Sequence, residues 1–138
     1  MMPVVIVLAL AQAVVPFVTV AQGGMSNFDE PRQAVVRTGA EWQALWKQHD
    51  RDSPAPPVDF TQYTVAAVFL GSRPTTGFTA EITGVKTEGT RTVVEYLERQ
   101  PPRDGFAAQV LTSPFQIVRF ARTAGPVEFR RLGGRATP

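Results

Sequence analysis

The chain has 138 residues, a formal net charge of +2 and a 43% hydrophobic share. That length holds one domain with a substantial core and excludes two comfortable ones, and the apolar share excludes global disorder. The absence of cysteine excludes disulfides, thiol catalysis, thiolate metal sites and a lipid-bearing cysteine anchor.

The chain opens with "MMPVVIVLALAQA". A short apolar core ending in Ala11-Gln12-Ala13 fits an export signal over residues 1–13, although no basic residue precedes it. The competing reading is a buried strand or an uncleaved anchor over residues 4–20. A full span needs about 20 apolar residues, and Gln12, Pro16 and Thr19 interrupt this one. The expectation is therefore an exported protein, periplasmic or secreted, with no stable membrane span after cleavage. Residues 14–132 form one domain, and residues 133–138 a flexible tail.

Residues 14–21 are rich in β-branched side chains and predict a first strand, and residues 33–37 a second. Thr38 and Glu41 form a capping-box pair. Trp42, Leu45, Trp46 and His49 follow at i, i+3, i+4 and i+7, so an amphipathic helix is expected over about 38–49, with the tryptophans as a core anchor. Pro54, Pro56 and Pro57 stop it and stiffen a connector. The rest reads as β. Residues 63–70 are nearly all apolar and predict a central strand covered on both faces. Residues 78–83 alternate, as do residues 92–97, with "TEGT" as a turn between them. Residues 109–120 predict a long strand that Pro114 must bend, bulge or confine to an edge, and residues 127–130 a last short one. Short strands with regular turn signals make the chain mainly β, an antiparallel sandwich or barrel with one helix near its start.

Catalytic sets are not legible. His49 is the lone histidine, with no companions at metal-ligand spacing. Ser26, Ser72 and Ser113 sit in turn-like contexts, no Gly-x-Ser-x-Gly elbow occurs, and no Lys follows Gly71 or Gly77 as a phosphate loop requires. Glu81, Glu95, Glu98 and Asp104 lie at opposing phases and read as a solvated face. Arg119, Arg122, Arg130, Arg131 and Arg135 make the end basic, but no nucleic-acid motif accompanies them, so no nucleic acid is expected as a partner. No enzyme activity, metal or cofactor is expected.

The loop "SRPTTGF" joins two predicted strands. Pro74 fixes φ, Thr75 and Thr76 carry hydroxyls that bond nearby backbone, and Gly77 tolerates positive φ. The loop is expected to be ordered in advance, either as a plain hairpin turn or as a contact surface for another protein.

Together, "VAAVFLGSRPTTGFTAEI" and "AAQVLTSPFQIVRFAR" resemble the PrcB C-terminal domain of protease-complex subunits, and "EWQALWKQH" is a helix of the type often found there. The resemblance runs roughly over residues 33–130. It implies an exported bacterial β domain without assigned catalysis that associates with a protease or another envelope protein. Thr76 stands where a second Gly is frequent and Phe78 where Tyr is frequent. "RPTTGF" is also similar to the loop of chagasin-type cysteine-protease inhibitors, with Arg73 in place of Asn; that likeness implies an immunoglobulin-like inhibitor. On these resemblances the partner-binding residues are Arg73, Pro74, Thr75, Thr76, Gly77 and Phe78, with Pro101, Pro102 and Arg103 on a second wedge loop spanning residues 100–106. A third reading, a small-ligand protein or hydrolase with an unread site, requires an enclosed polar pocket.

Overall fold

A computed structural model describes residues 3, 4 and 12–133. Of the expected export signal only residues 3, 4, 12 and 13 are described, the last two within a strand, and of the expected tail only residue 133. Within them are eight strands and one helix: β1 (Gln12–Val14), β2 (Phe17–Gly23), β3 (Arg32–Val36), α1 (Gly39–His49), β4 (Tyr63–Phe69), β5 (Thr79–Glu88), β6 (Arg91–Arg99), β7 (Phe115–Ala121) and β8 (Val127–Arg131). They form two four-stranded sheets, in the orders β1-β5-β6-β8 and β2-β7-β4-β3. Neither closes on itself, so of the two expected architectures the sandwich is the one adopted. Every pair is antiparallel except β6 with β8, which is parallel.

The β4 strand shows why the molecule has three layers. Its side chains alternate, and both sets are apolar. Ala66 and Val68, with Leu70 just beyond, face the other sheet and meet Ala80, Ile82, Val85, Val94 and Tyr96. Val65, Ala67 and Phe69 face the opposite way and meet Trp42, Leu45 and Trp46 of α1. The helix thus lies on the outer face of the β2-β7-β4-β3 sheet, and β4 is covered on both sides as the unbroken apolar run requires.

Thr38 caps α1 by accepting a hydrogen bond from the Glu41 amide at 3.2 Å. The Glu41 carboxylate reaches back one residue further than a capping box would place it, to the Arg37 amide at 3.3 Å. The proline connector then completes the tryptophan anchor. Trp42 donates its indole N–H to the Pro56 carbonyl at 2.8 Å and Trp46 to the Ser53 carbonyl at 2.9 Å. Both large rings are buried without stranding a donor.

Three expectations need correction. Residues 14–21 are not one strand. Pro16 lacks an N–H and cannot continue a ladder; the chain pairs with β5 up to Val15, then crosses to pair with β7 from Phe17. Residues 109–120 are not one strand either, because the ladder of β7 begins only after Pro114. The loop after β4 is also no hairpin turn. β4 and β5 belong to different sheets, so residues 70–78 carry the chain from one layer to the other.

The remaining strand expectations hold, with shifted ends. β5 runs on past residue 83 to Glu88, through a bulge between Ile82 and Gly84. Gly89, at φ +65°, and Thr90 make the tight turn into β6.

Candidate functional site

The crossover is set at both ends by glycines that the sequence marks as turn-formers. Gly71 takes φ +81° and Gly77 φ +94°, a region that costs other residues sterically. Between them Arg73 exchanges backbone hydrogen bonds with Thr112, at 2.7 and 2.9 Å. Its guanidinium forks onto Glu98 of β6 at 2.8–3.0 Å and also donates to the Leu70 and Ser72 carbonyls. Arg73 therefore ties the crossover to the opposite sheet, and its charge is matched within the fold.

The threonines are spent in the same way. Thr75 donates its hydroxyl to the Thr76 carbonyl at 2.9 Å, and its own carbonyl accepts from the Thr112 hydroxyl at 2.9 Å. The Thr76 amide donates to the Ala108 carbonyl at 3.1 Å, and its hydroxyl accepts from the Ala108 amide at 2.9 Å. A Cβ on Gly77 would lie 2.6 Å from the Cβ of Pro101. Residues 72–78 and 101–112 thus form a single mutually bonded end of the sandwich. Both expected loops are in it. Thr75, Thr76, Phe78 and Pro101 are half-buried there, whereas Pro74, Gly77, Pro102 and Arg103 face solvent.

Beside the exposed Arg103, Asp104 and Gln109, this end presents large apolar side chains. Phe106 is 95% exposed, Leu111 72% and Val110 50%. Met25 is 70% exposed and is brought alongside by its bridge to Ser113. None of these four was singled out from the sequence. The reading of residues 109–120 as one strand assigned Val110 and Leu111 to a ladder, and Pro114 was the signal that could have freed them. Isolated exposed apolar residues are ordinary; several large ones gathered at one end of a fold make that end the candidate contact surface.

Other groups of chemical interest are committed to the fold. His49 is 2% exposed, with Nδ1 2.8 Å from the hydroxyl of buried Ser26 and its ring 4.2 Å from that of Phe115. Burial holds its pKa below the ordinary 6.5, against the opposing pull of the Asp50 charge. Ser26 also accepts from the Phe28 amide, so the pair is a satisfied core contact. Of the four carboxylates found scattered in the sequence, three are ion-paired, Glu81 with Arg99, Glu95 with Lys86 and Arg130, and Glu98 with Arg73, while Asp104 faces solvent in its loop. Among the described residues no group of three or more His, Asp or Glu is placed to hold a metal, and no helix is long and apolar enough to cross a membrane. A half-open cleft of about 270 Å³ lies between the free edges of the two sheets. It falls just under the roughly 300 Å³ at which small-molecule pockets begin.

The family model described as PrcB C-terminal matches residues 64–121. That segment runs from β4 through β7 and contains both loops of the end just described. It bears out the resemblance there, over a shorter stretch than residues 33–130; the tryptophan helix lies outside it. No curated protein and no solved structure matches the chain.

Proposed function

With a PrcB C-terminal segment at its centre, we propose that this chain is an exported, non-catalytic protein-binding module that associates with a protease or another envelope protein. Its contact surface is the end built by residues 72–78 and 101–112. The observation that carries this reading is the display of Val110 and Leu111 on backbone fixed on either side by the hydrogen bonds of Ala108 to Thr76 and of Thr112 to Arg73, with Phe106 fully exposed in the loop just before. A surface ordered before binding loses little conformational entropy on association, and buried aromatic and aliphatic anchors carry most of an interface's free energy. The threonine hydroxyls, being bonded inward, contribute rigidity to the loop; contact falls to the apolar side chains and to Pro74, Pro102 and Arg103.

The test is affinity capture from the native envelope, comparing wild type with a Phe106→Ser, Leu111→Ser double variant. Both side chains are exposed, so the unfolding midpoint should not move, while the captured partner should be lost. Equal recovery of that partner by both proteins would remove the contact surface from this end. Gly77→Val is unsuitable here, since at φ +94° and against Pro101 it would disrupt the loop itself.

A further inference from the structure

β3 is an edge strand. It pairs only with β4, in unbroken register from Arg32↔Phe69 to Val36↔Val65. In an antiparallel pair every second residue points its N–H and C=O toward the partner strand and the rest point away. Among the described residues the backbone of residues 32–36 makes no hydrogen bond other than those to β4. No bulge and no internal proline interrupts this strand, and its one charge, Arg32, stands at its start.

Both flanks of this edge are hollow. Gln33 points toward the other sheet and donates to the Tyr96 hydroxyl at 2.7 Å. Beside it lies the 270 Å³ cleft, walled by Arg32, Leu70, Arg73, Tyr96 and Arg131. Ala34 and Val36 point toward α1, and beside them is a second cleft of about 240 Å³, walled by Ala44, Leu45 and Gln48. The first cleft is cationic. Glu98 is the carboxylate nearest its arginines, and it is already spent on Arg73 at 2.8 Å. Arg131 approaches it only to 3.9 Å, so two guanidinium groups share one carboxylate there, while the Arg32 guanidinium lies on the α1 side, over the Phe28 ring and donating to Gln48.

We propose that the β3 edge receives an extended, acidic segment of a protein partner as a ninth strand. Its backbone would bond the outward groups of residues 32–36. One Asp or Glu side chain would enter the first cleft beside Gln33 to meet Arg131, and its neighbours, pointing the opposite way, would place small apolar side chains in the cleft beside Leu45. Strand addition of this kind takes affinity from main-chain bonds and specificity from pockets that receive alternate side chains, and this edge has both. The excess of guanidinium over carboxylate selects an acidic segment over a neutral one. Because it presumes a protein partner, the edge site rests on the protein-binding reading above.

A random heptapeptide library displayed on phage and selected on the full chain tests it. The enriched peptides should carry an Asp or Glu flanked by Val, Ile or Thr. Their synthetic, fluorescently labelled forms should bind about tenfold or more weakly to Arg131→Gln, a change at an exposed side chain, and should lose binding when their own amides are N-methylated. Phe106→Ser with Leu111→Ser should leave peptide binding unchanged. Enrichment of sequences without an acid, indifference to Arg131→Gln or to N-methylation, or failure to enrich any peptide overturns the edge site. So does competition by inorganic phosphate alone with no peptide binding, or self-association of the chain abolished by Arg131→Gln, since these assign the cleft to a free anion or to a second copy. If the envelope partner is lost on mutating Phe106 and Leu111 but no peptide binds, the edge site falls and the loop surface stands.

Discussion

Gly71 shows how much a single position can decide. It carries φ +81°, and a Cβ there would lie 2.8 Å from the Pro31 nitrogen and 2.9 Å from the Asp29 carbonyl oxygen. Both neighbours are backbone, so they cannot swing aside as a flexible side chain would. Gly71→Ala is expected to destabilise the protein by about 1–3 kcal/mol through backbone strain. Gly24→Ala, where a Cβ meets nothing within 4 Å, should be nearly neutral. Urea unfolding of the two variants checks the contrast, and equal midpoints would contradict it. The glycine was legible in the sequence as the end of an apolar run. The approach of residues 29–31 was not, because those residues are about forty positions away in the chain and reach Gly71 only through folding.

Among the elements, β5 carries a problem that its own sequence does not reveal. β1 covers only its last three residues, Lys86–Glu88. The first half of the same edge would be left open inside the sandwich. Two glutamines of the opposite sheet close it: Gln22 donates to the Ala80 carbonyl at 3.2 Å, and Gln116 accepts from the Ile82 amide. Gln116 is 5% exposed and also donates to the Thr19 hydroxyl at 3.0 Å. A polar residue in an apolar strand reads from sequence as an outward-facing one; here it faces the core because a strand edge there needs it. Gln116→Leu should cost about 1–3 kcal/mol, the penalty for an unsatisfied buried amide. Hydrogen exchange would show it as selective loss of protection at the Ile82 amide. Unchanged protection there would show that the side chain does not close the edge. Helix α1 is the opposite case. Its cap, spacing and proline stop are all local, so its limits could be read directly, and the structure adds only that its indole N–H groups end on the proline connector.

For the molecule as a whole, a surface ion-pair network and a buried neutral histidine make stability respond to acid. The outer face of the β1-β5-β6-β8 sheet carries a network in which Glu88 meets Arg130, Lys86 and Arg91. The Arg130 guanidinium holds Glu88 well below the usual carboxylate value, at about 2. His49, in the other core, is also held below its ordinary value, by burial. In both cases the folded state binds fewer protons than the unfolded chain, so stability falls as pH falls. The His49 contribution is complete above pH 6.5 and declines below it. The Glu88 contribution is complete above about 4.5 and is lost as the pH approaches 2. Urea midpoints measured from pH 7.5 to pH 2.5 should therefore drop in two stages. His49→Phe should abolish the first and Glu88→Gln should shrink the second, the remainder belonging to Asp50 and Asp59, which hydrogen bonds from Ser53 and Thr61 hold below the ordinary carboxylate value. A midpoint unchanged between pH 7 and pH 5 would contradict the His49 assignment.

Local chemistry was enough to establish a mainly β domain, a capped tryptophan helix, a doubly covered β4 and a preordered loop after it, because each follows from residues within a few positions of one another. The likeness to the PrcB C-terminal family was visible in the same stretches. Which sheet each strand joins, and hence that the loop crosses layers and docks on residues 101–112, depended on contacts between distant segments. So did the inward turn of the Thr75 and Thr76 hydroxyls, the outward display of Phe106 and Leu111, and the hollow flanks of β3. Exposure and edge position belong to the assembled layers, and no short window of residues encodes them.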